Sequence, residues 1–122
     1  MEGACIIFHP WASQGVLETH IFKKPPDLDY IKGVIGGWLE YVSGFNTIEI
    51  EDDVFHCVAY CNEEGKLQGQ DINVAATHAW DKALRRGDMH PNGILGSDGN
   101  PIDVLVGSVI VLFGDEEFMA AL

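Results

Sequence analysis

The segment from Val104 to Phe113 is almost wholly apolar and β-branched, with a single glycine, Gly107, inside it. A run of this kind is the signature of a strand buried on both faces, so the chain needs material on either side of it. Two further apolar runs supply strand neighbours. Residues 4–9 read as a buried strand closed by Pro10, and 16–22 alternate as its hairpin partner. The link between those two, from Pro10 to Gly15, carries Trp11. Lys23-Lys24-Pro25-Pro26 then ends the second strand, since proline has no ladder donor.

Two helices are predicted. Asp27 can cap a helix in which Leu28, Ile31, Val34 and Ile35 share one face, and Gly36-Gly37 stops it. One long helix over 28–42 would have to carry both glycines at about 1 kcal/mol each, so the break is preferred and 38–42 reads as a strand. Asn73 can cap a second helix running to Arg86, with Ala76, Trp80, Ala83 and Leu84 as its apolar stripe and Arg85-Arg86 at its C-terminal end. Residues 47–51 and 54–61 read as strands, and 66–68 as a short strand after the turn at 62–65. Turn pairs such as Asn92-Gly93 and Asp98-Gly99 mark 88–101 as loop, and the tail 115–122 as one or two helical turns. The expected fold is α+β: one domain over 1–122, a mixed and mostly antiparallel sheet, and two main helices on one side of it.

Composition narrows the function classes. Hydrophobic residues make up 47% and charged residues 21%, which is globular usage. Seven Lys and Arg stand against 19 Asp and Glu, a net charge of −12, which argues against general nucleic-acid binding and against an anionic membrane surface. No stretch approaches the roughly 20 apolar residues of a spanning helix. An acidic start and three cysteines, an odd number, lead to the expectation of a soluble cytoplasmic protein with reduced thiols.

Three ordered motifs, "PPDLDYIKGVIGGWLEYV" at 25–42, "CNEEGKLQGQDIN" at 61–73 and "PIDVLVGSVIVLFGDEE" at 101–117, resemble the domain of unknown function 3846 family of small bacteriophage and bacterial proteins. The resemblance covers most of residues 4–114. Relative to short members, 74–101 is a helix-plus-loop insertion. The resemblance implies a phage origin and brings no catalytic residues with it.

Candidate chemistry has to be read from the residues themselves. His56, Cys57 and Cys61 do not make a metal site: on a strand His56 faces away from Cys57, and the two cysteines lie roughly 13 Å apart. No metal and no cofactor is therefore expected. Nucleophile elbows and phosphate loops are absent from the sequence. The carboxylates are spread, with nine acids and three bases in 1–61 and ten acids and four bases in 62–122. Their densest cluster is Glu49, Glu51, Asp52 and Asp53, which is either a solubilising surface or part of a DNA mimic. The segment 65–86 offers a ligand site: Lys66, amides at Gln68, Gln70 and Asn73, then His78, Trp80 and Arg85. Each has a plain alternative: Asn73 as a helix cap, Trp80 as core, Arg85 and Arg86 as a helix end. The six residues Lys66, Gln70, Asn73, His78, Trp80 and Arg85 form the expected ligand-binding set, and a polyanionic ligand would need Lys66, Arg85 or Arg86 beside it.

The expected function is that of a non-enzymatic phage accessory protein acting by binding, an anti-defence factor that sequesters a nucleotide-like immune signal. The alternatives are an acidic inhibitor of a host defence protein, including a DNA mimic, and a small enzyme with an unrecognised site. Exposed strand edges lead to the expectation of a homo-oligomer.

Overall fold

A computed structural model describes residues 1–10, 17–87, 90–95 and 98–122. Its strands are β1 (Gly3–Phe8), β2 (Leu17–Phe22), β3 (Leu39–Tyr41), β4 (Thr47–Ile50), β5 (Asp53–His56), β6 (Val58–Asn62) and β7 (Val109–Gly114). Its helices are α1 (Leu28–Ile35), α2 (Val74–Arg86) and α3 (Glu116–Ala120). A five-stranded sheet runs in the order β2-β1-β7-β6-β3, and β4 and β5 form a separate hairpin. All the strand pairings are antiparallel. The architecture is α+β. No described helix is long and apolar enough to cross a membrane.

Both long helices begin and end where their local signals place them. Asp27 accepts the Tyr30 N–H at 2.9 Å, and Gly36 closes α1 in the left-handed region at φ 78°. Asn73 accepts the Ala76 N–H at 3.0 Å, and Gly87 donates to the Ala83 and Leu84 carbonyls.

The helices cover opposite faces of the sheet, where the sequence led to the expectation of one side. Alternation along β1 and β7 decides this, because every position there is apolar. Cys5, Ile7, Ile110 and Leu112 point to one face and pack with Ile31 and Ile35 of α1. Ile6, Phe8, Val109 and Val111 point to the other and pack with Ala76 and Ala83 of α2 and with Ile48 of the hairpin. Phe118 of α3 is fully buried against Gly3 and Gly114, where any Cβ would collide with its ring.

Three strand expectations are corrected. The 54–61 run is two strands in two sheets, divided at Cys57, whose N–H donates to the Asn46 carbonyl at 3.0 Å as the chain passes between layers. Residues 66–68 are a turn closed by Gln68 N–H to the Glu64 carbonyl, with no partner strand. The last strand starts at Val109 and not at 104: Gly107 sits at φ 69° and donates to the Asp71 carbonyl, so 104–107 instead runs beside 71–73. The Trp11 loop and Val16 lie outside the described residues.

Candidate ligand-binding groove

Helix α2 presents two faces. Ala76, Thr77, Ala83 and Leu84 are buried. His78, Lys82 and Arg86 are spaced at i, i+4 and i+8, so they rise in one exposed row beside that buried face. The row overlooks a cavity of about 370 Å³ between α2, the sheet and the β4–β5 hairpin. Ile6 and Phe8 of β1, Leu17 and Thr19 of β2, and Ile48 and Ile50 of β4 give it a mainly apolar interior. Ala75 and Ala79 keep the helix side low, and Glu49 is its one acidic lining residue among the described residues.

The rim is electrostatically unlike the rest of the chain. Two of the seven Lys and Arg residues and one histidine converge here, in a protein of net charge −12. Arg86 is positioned by Thr47: its Nε donates to the Thr47 Oγ1 at 3.0 Å and its Nη2 to the Thr47 carbonyl at 3.4 Å. Lys82 makes no hydrogen bond or ion pair among the described residues, so its ammonium is available to an incoming group. Arg86 sits in the last turn of α2, where the helix dipole favours cations. An apolar floor with a cationic rim suits a ligand with a flat or greasy body and an anionic end.

Of the six residues singled out in the sequence, only His78 lines this cavity. Lys66 is ion-paired with Asp103 beside Glu40 and Cys61. Gln70 packs over Gly65 and Gly107, with its Nε2 donating to Gln68 Oε1 at 3.3 Å and its buried Oε1 without a hydrogen-bond partner among the described residues. Asn73 is fully buried, and its Nδ2 donates to the Phe8 and Gly107 carbonyls, both at 2.8 Å. It joins β1, the entry to β7 and the start of α2. Trp80 packs against the core and donates to the Ser43 carbonyl at 3.0 Å. Arg85 pairs with Asp81 at 3.0 Å, and Asp81 also accepts the Ile94 N–H. Gln70 and Asn73 thus meet at Gly107, while Trp80 and Arg85 are held by other partners away from it. Lys82 went unnoticed in the sequence, although its spacing from His78 and Arg86 was legible.

The thiols are packing groups. Burial pushes Cys57 up to about 12 and Cys61 to about 11, so neither is a thiolate near neutral pH. No group of three or more His, Cys, Asp or Glu among the described residues is placed to hold a metal ion.

No family model, curated protein or solved structure was found to match the chain.

Proposed function

We propose that the protein acts by binding a small amphipathic anion in the groove beside α2, with a nucleotide-like molecule as the leading ligand class. The observation that carries this reading is the row of His78, Lys82 and Arg86 over an apolar floor. A base or similar flat body would lie against Ile6, Phe8, Ile48 and Ile50, and the anionic group would meet Lys82 and Arg86. At about 370 Å³ the cavity falls within the usual range of small-molecule sites, about 300–1,000 Å³. Among phage-encoded proteins, such binding would serve to withdraw a nucleotide-like immune signal from its receptor. The ligand would be released unchanged.

Native mass spectrometry with cyclic nucleotides and ADP-ribose tests the reading. A saturable mass increment is expected, weakened about tenfold or more by Lys82→Glu, since a hydrogen bond to a charged group contributes about 1.5–3 kcal/mol. The unaltered mass of every mixture, or binding indifferent to Lys82→Glu and His78→Ala, would refute it. Loss of ligand mass with time would point to turnover.

A second reading rests on the β4–β5 turn. Glu51 and Asp52 hold φ values of 50° and 72°, a strained backbone at the most acidic stretch of the chain. An acidic tip of this kind would suit a basic surface on a host protein. Salt-sensitive capture of one host protein, abolished by Asp52→Lys and Asp53→Lys, would favour it over the groove.

A further inference from the structure

Strand β2 is an edge strand, and five of its six residues are exposed. It contains neither proline nor lysine, the residues that commonly blunt such edges. The opposite edge, β3, is only three residues long. Which backbone groups of β2 are open follows from the pairing. Asp115 N–H donates to the Glu2 carbonyl, so even-numbered residues of β1 bond towards β7 and odd-numbered ones towards β2. The β2 partners of the odd-numbered residues are Glu18, His20 and Phe22. Leu17, Thr19 and Ile21 therefore turn their N–H and C=O groups to the side that no described strand occupies.

We infer that two copies of this chain pair antiparallel through β2, about a two-fold axis at Thr19, to make one continuous sheet. The side chains select that register. With the axis at Thr19, Leu17 faces the partner's Ile21, and Glu18 faces the partner's His20, each pair occurring twice. Leu17 and Ile21 lie on the groove face of the sheet, as their β1 partners Phe8 and Ala4 do, and Ile21 is 76% exposed. Glu18 and His20 lie on the other face, where Glu18 already meets His9 at 2.7 Å and His20 at 3.2 Å. A carboxylate facing an imidazole that can hydrogen-bond to it favours this pairing, and like charges oppose its competitor. An axis at Glu18 sets that carboxylate against its own copy. An axis at His20 sets Leu17 against the partner's Lys23 and Glu18 against the partner's Phe22.

The dimer also extends the groove. Leu17 and Thr19 form its β2 wall, so the partner's Ile21 comes to stand directly beside it. The pairing itself does not depend on what the groove binds.

Native mass spectrometry and light scattering on the whole chain test this. The expected mass is that of two chains, falling to one in Ile21→Lys and in Thr19→Pro. Ile21 is exposed and the Thr19 N–H points to the open edge, so both variants keep the monomer fold, which circular dichroism verifies. Under oxidising conditions Thr19→Cys is expected to give a covalent dimer and His20→Cys none. Residue 19 would face its own copy at a Cα separation of about 5.5 Å, within disulfide range. A single-chain mass for the unsubstituted protein, a two-chain mass that survives both Ile21→Lys and Thr19→Pro, or cross-linking through position 20 in place of 19 would each overturn the inference.

Discussion

Replacing Asn73 tests how the two halves of the fold are joined. Its side chain makes three bonds in a fully buried position: two donated to the Phe8 and Gly107 carbonyls and one accepted from Ala76. Asn73→Ala removes the cap, worth about 1 kcal/mol. It also leaves two carbonyls in the interior without that donor, at about 1–3 kcal/mol each. The expected total is about 3–7 kcal/mol, a large part of the roughly 5–15 kcal/mol that holds a domain together. Asn73→Asp keeps the capping oxygen but turns a carboxylate towards the same two carbonyls. Its folded pKa would rise above the unfolded value of about 3.9. Protonation then favours the fold: that gain is complete below the unfolded pKa and is lost as pH rises through the folded one. The Asp variant is therefore expected to be the least stable protein at pH 7 and to recover on acidification relative to Asn73→Ala, whose deficit carries no such titration. Urea unfolding followed by tryptophan fluorescence measures both. A cost of about 1 kcal/mol for Asn73→Ala, with an unchanged denaturant slope, would refute the reasoning, because only the cap would then be contributing.

Three further outcomes are expected. Gly114→Ala places a Cβ 2.7 Å from both the Glu2 carbonyl oxygen and the Gly3 Cα, and should cost about 1–3 kcal/mol in thermal or urea unfolding; Gly33→Ala, with nothing within 4 Å inside α1, should stabilise by about 0.4–1 kcal/mol. Cys57 and Cys61, with thiols near 12 and 11, should resist a thiol-specific reagent at pH 8 until urea unfolds the chain, as read by the time course of labelling. For Asp81, burial raises the pKa but the Ile94 N–H and Arg85 more than offset it, leaving it lowered. Its stabilisation is thus present above the unfolded value and lost as pH falls through the folded one, so melting temperature should fall less steeply in acid for Asp81→Asn than for the unsubstituted chain.

The helices were legible because their ends are local. Asp27, Gly36, Asn73 and Gly87 each act within a few residues of themselves, and 28–35 and 74–86 fold as read. The break at Cys57 was not, since Val54–His56 and Val58–Cys61 have the same strand character and differ only in the partner that tertiary structure gives them. Nor could the placement of the helices be read. Where both faces of a strand are apolar, alternation says that two layers exist without saying which helix supplies each. The groove shows the same division. Its cationic row is a helical spacing within nine residues, but its floor comes from β1, β2 and β4, which reach it only through the fold. Of the residues read as one site over 65–86, His78 alone lines this groove, and the others are held by partners elsewhere in the fold.

The position of β1 has a consequence for the order of events in folding. This strand lies between β2 and β7, and Gly3 is paired with Gly114. Its hairpin with β2 can form locally, but the sheet has no centre until β7 arrives from the far end of the chain. Long loop closure of this kind slows folding. On the ribosome, β1 would wait with its apolar residues unpaired on one edge until β7 emerged, and that interval is when the nascent chain is most open to association with other strands.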